Sequence, residues 1–148
     1  MSKKLLGAIL AAVTLAAPAA LACEGEGHAQ HSEKKRVTNL SVTQVAGLQK
    51  EKKVTVLDAN GADFRKQHGT LPGAVLLSHF NQYDAAKELP AAKDAKLVFY
   101  CANMQCKASH AAAKRALEAG YTDVNVLPDG LLGWKKAGQP TASVSPQS

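Results

Sequence analysis

The sequence predicts an α/β domain with a mainly parallel central sheet. Three observations carry that expectation. Short apolar runs with β-branched residues recur at positions 54–57, 74–77, 97–100 and 124–127. Segments with helical signals separate them, and strand–helix alternation is the mark of α/β folds. One run, Leu97-Val98-Phe99-Tyr100, is apolar without interruption, as a parallel strand covered on both faces requires.

Residues 1–22 read as a secretory signal peptide and not as part of the fold. Lys3 and Lys4 precede an apolar, alanine-rich stretch broken only by Thr14 and Pro18, and Ala20-Leu21-Ala22 places small residues where a signal peptidase cleaves. An N-terminal membrane anchor is the alternative, and Pro18 and the alanine content weaken it. The chain is therefore expected to be exported, to the periplasm, with Cys23 at the mature N-terminus. Lipidation of Cys23 is a second alternative. Bacterial lipoprotein signals usually carry leucine three residues before the cysteine, where this chain has Ala20.

Residues 23–39 are polar and lack any apolar period, so a flexible linker is expected. Cys23, His28 and His31 are a conceivable soft-metal set, but tetrahedral sites need better-fixed ligands, and a solvated tail is the simpler reading. No metal or other cofactor is expected.

The folded domain is expected over 40–140. Ser41 with Gln44 forms a capping-box pattern, flanked by Leu40 and Val45 at staple positions, so a helix should run to about Lys50. The run at 54–57 reads as a strand ending at Asp58, followed by an Asn60-Gly61 turn and a short helix over 62–67. Positions 74–77 read as a brief strand, and 83–89 as a weak helix stopped by Pro90. After the strand at 97–100, Ala112, Ala113, Ala116 and Leu117 mark one face of a helix with Gly120 at its C-cap. A strand at 124–127 and a final helix seeded by Leu131, Leu132 and Trp134 follow. Residues 141–148 read as a disordered tail.

Composition narrows the function classes. The 148-residue chain carries 18 basic and 12 acidic residues, a net charge of +6. Without residues 1–22 the balance is 16 basic against 12 acidic, a net +4. No basic run exceeds Lys34-Lys35-Arg36 and aromatics are few, so nucleic-acid binding is not indicated. A small anionic ligand is compatible with this charge. Three cysteines in an exported chain leave at least one unpaired or paired to another molecule.

Cys101 is the candidate with the most chemistry. It ends the apolar run, and a polar loop then leads into the alanine-rich helix. That order places the thiol at the carboxyl edge of the sheet, beside a helix N-terminus, where open α/β sheets bind ligands. Backbone N–H groups and the helix dipole there favour a thiolate or a bound anion. A buried structural cysteine is the alternative. Asp58, at a neighbouring strand end, reads either as an acceptor that orders a loop or as a solvated turn residue. His110 is more simply an exposed helix residue than a base, and Trp134 a core anchor. His68 and His79 carry no usable pattern.

Three segments together resemble a rhodanese-like domain. The first runs from Val56-Leu57-Asp58 to His68-Gly69-Thr70-Leu71-Pro72-Gly73-Ala74. The second is Phe99-Tyr100-Cys101 with its loop and helix, closing at Gly120-Tyr121. The third is Leu127-Pro128-Asp129-Gly130-Leu131-Leu132-Gly133-Trp134, similar to the family's C-terminal signature. The resemblance covers residues 40–140 and implies a three-layer fold with helices on both faces of the sheet. It also implies that the Cys101 thiolate takes sulfane sulfur from a small anionic, thiosulfate-type donor as a persulfide. The sulfur then passes to a thiol or cyanide-like acceptor. The loop Ala102, Asn103, Met104, Gln105, Cys106 and Lys107 would cradle the anion, with Lys107 as a cation beside the thiolate.

The chain departs from the family in three places. Asp58-Ala59-Asn60 lacks the arginine of the frequent Asp-x-Arg. The active loop is longer than the usual sulfurtransferase loop. Relatives with enlarged loops, the dual-specificity cell-cycle phosphatases and arsenate reductases, read Cys-x5-Arg where this chain reads Cys-x5-Lys, which loses bidentate anion binding. Cys106 is either a resolving thiol that closes a Cys101–Cys106 disulfide or a second thiol that is inert or loosely structural. Two other functions therefore stand beside sulfur transfer: a thiol–disulfide redox protein using both cysteines, and a non-enzymatic sulfur- or metal-binding module.

Overall fold

The computed structural model describes residues 36–144. The expected signal peptide, Cys23, His28, His31 and residues 145–148 lie outside the described residues. Five parallel strands form one sheet: β1 (Thr38–Asn39), β2 (Thr55–Asp58), β3 (Val75–Leu76), β4 (Leu97–Tyr100) and β5 (Val124–Leu127). Their order is β1-β5-β4-β2-β3. The helices are α1 (Val42–Lys50), α2 (Ala62–His68), α3 (Ala85–Glu88), α4 (Ala108–Glu118) and α5 (Gly130–Lys136).

Side chains alternate across each strand, and that alternation divides the core in two. Leu57, Leu97, Phe99, Val124 and Val126 face Tyr83, Leu89 and the Ala112, Ala113 and Ala116 stripe of α4. Val56, Val98, Tyr100 and Leu127 face Val45 of α1, Leu71, and Leu131 and Trp134 of α5. The result is the expected three-layer arrangement. β4 is central and all four of its residues are buried, which accounts for its unbroken apolar run.

Local signals set the helix ends. Ser41 and Gln44 form the full capping box at the start of α1. At the end of α4 the Tyr121 N–H donates to Ala116 and the Gly120 N–H to Leu117, with Gly120 at φ +97°. This is a Schellman stop that a side chain with a Cβ would strain. Trp134 is buried as an anchor, and its indole N–H donates to the Pro140 carbonyl at 2.7 Å.

Three expectations need correction. Thr38 and Asn39, inside the stretch expected to be linker, form an edge strand against Asn125 and Val126. Ala142, inside the expected tail, bridges Thr70 in an antiparallel pair. Both segments are polar or small-residue chain paired through the backbone, with Val37 and Leu40 packing on either side of the first, so no hydrophobic period marks them. The weak helix expected over 83–89 is shorter, because Tyr83 turns into the core instead and its hydroxyl donates to the Ala112 carbonyl at 2.8 Å.

The sheet order places the chemistry. From β2 the chain moves outward to β3, and from β4 to β5 on the other side. The carboxyl ends of β2 and β4 therefore flank the topological switch point, where α/β sheets bind ligands. Asp58 ends β2, and Cys101 follows β4.

Candidate functional site

Cys101 is buried, 1% exposed, at that switch point. The chain then turns back on itself. The Cys106 N–H donates to the Asn103 carbonyl at 3.1 Å, and the Gln105 N–H to Asn103 Oδ1 at 3.1 Å. Asn103 thus folds the loop locally through its own side chain. The turn returns Cys106 to Cys101, and the two form a disulfide with a Cα–Cα distance of 6.3 Å, within the ordinary range. Ser109, buried in the first turn of α4, places its hydroxyl 3.4 Å from Cys101 Sγ. A hydroxyl there is able to donate to the sulfur.

The base of the loop is fastened to α5. Leu131 N–H donates to the Cys101 carbonyl at 2.8 Å and Leu132 N–H to the Ala102 carbonyl at 2.9 Å. Gly130 makes this approach feasible. It sits at φ +60°, and a Cβ there would lie 2.5 Å from the Cys101 oxygen and 2.6 Å from the Ala102 carbonyl carbon. Only glycine meets both conditions without strain.

Above the clamp the loop is open. The amides of Ala102, Asn103, Met104 and Lys107 make no hydrogen bond among the described residues, which leaves them as donors for an anion. Those of Ala108, Ser109 and His110 are the orphan first-turn donors of α4. Met104 is the tip, 71% exposed. Lys107 is exposed, and its ammonium forms no ion pair among the described residues. His110 is exposed, as is His79, while His68 is half-buried against Phe64.

Asp58 does not support this loop. It has the parity of Val56 and points to the other face of the sheet. There it is fully buried and accepts from the Asn60 N–H at 2.7 Å and from the Tyr100 hydroxyl. Tyr100 in turn accepts from the Leu71 N–H at 3.0 Å. Burial, and then the Asp58 carboxylate, hold the Tyr100 phenol far above its ordinary pKa, so it stays a donor. Arg65 of α2 completes the cluster. Its Nη2 donates to the carbonyls of Asp58 and Leu77 at 2.8 and 2.9 Å, and Nε lies 3.3 Å from Asp58 Oδ1 without hydrogen-bond geometry. The guanidinium beside Asp58 thus comes from the following helix, and Asn60 stands at the third position of Asp58-Ala59-Asn60.

Sequence reasoning missed Ser109, Gly130 and Arg65 as site residues. Ser109 had a readable signal: it lies on the stripe of Ala112, Ala113 and Ala116, so a polar side chain there is buried and must find a partner. Gly130 followed a strand end and opened a helix. Arg65 carried no signal, because only the path of α2 brings it under β2.

A profile of the rhodanese-like domain family matches residues 41–137. A comparison with curated proteins yields no match. Among solved structures, a Rhodopseudomonas palustris protein of unknown function, described as a candidate tyrosine phosphatase, is 26% identical with a TM-score of 0.60, covering 71% of this chain and 84% of its own. The rhodanese-like domain of an Anabaena protein is 18% identical with a TM-score of 0.61, covering 76% and 87%. A thiosulfate sulfurtransferase from Pseudomonas aeruginosa is 21% identical with a TM-score of 0.58, covering 76% of this chain and 22% of the enzyme.

Proposed function

The chain belongs to the rhodanese-like domain family, and on that premise we propose that it is a sulfurtransferase with Cys101 as nucleophile. The thiolate attacks the outer sulfur of a thiosulfate-type donor. A bond forms between Cys101 Sγ and that sulfur, the donor's S–S bond breaks, and sulfite leaves with the electron pair. A thiol or cyanide-like acceptor then removes the sulfane sulfur and restores the thiolate. The unpaired loop amides and Lys107 receive the anionic donor, and Ser109 donates to the sulfur of Cys101. One observation carries the reading: a buried cysteine ends the central strand at the switch point, clamped by α5 below and capped by the start of α4.

A second reading, dithiol–disulfide exchange without sulfur, is favoured by the Cys101–Cys106 disulfide itself. The phosphatase description of the Rhodopseudomonas protein is not carried over. Lys107 stands where a Cys-x5-Arg loop has its bidentate arginine, and an ammonium binds phosphate as a point charge.

The protein is exported to the periplasm, on the strength of residues 1–22, with Cys23 first in the mature chain. N-terminal sequencing beginning at Met1 would contradict this, and a diacylglycerol mass on Cys23 would establish the lipidated alternative. Among the described residues no helix is long and apolar enough to cross a membrane.

The test of the activity is steady-state thiocyanate formation from thiosulfate and excess cyanide. The reduced wild-type protein is expected to turn over and Cys101→Ser to be silent. An active Cys101→Ser variant would remove the assignment.

A further inference from the structure

We propose that Cys106 is an internal acceptor, resolving the Cys101 persulfide by attack on Sγ and releasing the sulfane sulfur as hydrosulfide. The inference rests on the sulfur-transfer reading above and gives that site a second product. Three observations lead to it. The Asn103 turn folds Cys106 back through hydrogen bonds within the loop, at 3.1 Å to Cys106 N–H and 3.1 Å to Gln105 N–H, none of which involves either cysteine sulfur. The sulfur of Cys106 reaches Sγ itself, the atom that carries the persulfide. The disulfide closes only five positions of chain, so loop-closure entropy gives it about 2 kcal/mol, less than a disulfide across a long loop.

The step balances. The Cys106 thiol gives up its proton, and its sulfur bonds to Cys101 Sγ. The bond between Sγ and the sulfane sulfur breaks, and that sulfur leaves as hydrosulfide with the electron pair. The sulfane sulfur is reduced by two electrons, and the two cysteine sulfurs are oxidised to the disulfide. The geometry of thiol–disulfide exchange applies, with the persulfide's outer sulfur as leaving group. An external dithiol reductant returns Cys101 and Cys106 to thiols. The disulfide in this structure is thus the product state of the cycle. Sulfur carried by the loop leaves either to an external acceptor or as hydrosulfide, and the two routes compete for one persulfide.

The experiment is a single turnover of the full, fully reduced chain with one equivalent of thiosulfate in a sealed vessel, without cyanide or reductant. Sulfide is measured directly, and the cysteines are mapped by alkylation and peptide mass. The expected result for the wild type is sulfide release in proportion to protein, with a disulfide linking the Cys101 and Cys106 positions. Cys106→Ser is expected to hold the extra sulfur on Cys101 and release no sulfide. A wild type that keeps a stable persulfide while Cys106 stays alkylatable overturns the inference and leaves sulfur transfer standing. Sulfide release from Cys106→Ser at the wild-type rate also overturns it. If neither protein gains sulfur nor releases sulfide, the sulfur-transfer reading itself falls. Mapping of the wild type decides the matter even where the serine variant fails to fold.

Discussion

Tyr100 and Cys101 are chain neighbours that face opposite sides of one sheet, and their surroundings differ in kind. The Tyr100 hydroxyl sits in a closed cluster with Asp58, Arg65 and the Leu71 amide, where almost every polar atom has a fixed partner. The Cys101 sulfur sits under a loop with free amides, a nearby serine hydroxyl and a second cysteine. The first arrangement holds β2, β4 and α2 together. The second leaves unpaired amide donors beside a cysteine sulfur that is here closed in a disulfide. A satisfied buried network specifies structure, whereas unpaired donors at a switch point are available for chemistry. The clamp from α5 joins the two halves, fixing the strand end while the loop tip stays open.

If this division is right, variants on the two sides fail in different ways. Cys101→Ser gives the largest functional effect: thiocyanate formation falls by at least about 10³-fold, while urea unfolding of the reduced protein shifts by less than about 1 kcal/mol. Asp58→Ala does the reverse. Leaving the Arg65 guanidinium buried without its carboxylate costs about 3–5 kcal/mol in the same unfolding experiment. The turnover of molecules that remain folded changes little. A large rate loss in folded Asp58→Ala would show that the two clusters are coupled and break the comparison.

Smaller effects sharpen it. Gly130→Ala is expected to cost about 2–3 kcal/mol through left-handed strain and the contact with Cys101 and Ala102. It should also lower turnover, since it pushes on the loop base. Ser109→Ala removes one hydrogen bond of roughly 1 kcal/mol, so Cys101 alkylation and thiosulfate turnover should each slow about fivefold. An unchanged alkylation rate would mean that the hydroxyl does not act on the thiolate. Lys107→Ala is the mildest: about a two- to threefold loss with thiosulfate at low salt, shrinking as ionic strength rises. A salt-independent loss would place Lys107 in direct, desolvated contact with the donor.

The sequence made some of this visible for physical reasons. A strand buried on both faces must be apolar throughout, so Leu97–Tyr100 and the position of Cys101 at its end were legible. Caps are local, so Ser41 with Gln44 and Gly120 could be read directly. Asp58 could have been assigned its face, because it shares the parity of Val56 and not of Leu57. What stayed hidden depends on distance in the chain. Thr38 and Asn39 are a strand only because β5 offers its edge, and Ala142 is ordered only because Thr70 pairs with it. Arg65 meets Asp58 through the course of a whole helix. The return of Cys106 is only one of two options in the sequence, since the four residues between the cysteines can lie in many ways. The Asn103 turn is what selects this one.

The central claim is that Cys101 accepts a sulfur atom, and the most direct measurement locates it. Reduced Cys106→Ser protein, which has no resolving thiol, is treated with thiosulfate, desalted and digested, and the peptide containing Cys101 is weighed before and after cyanide. The account predicts a gain of one sulfur atom on Cys101 that cyanide removes as thiocyanate. A Cys101 peptide of unchanged mass, in folded protein whose thiol is free to alkylation, would contradict it.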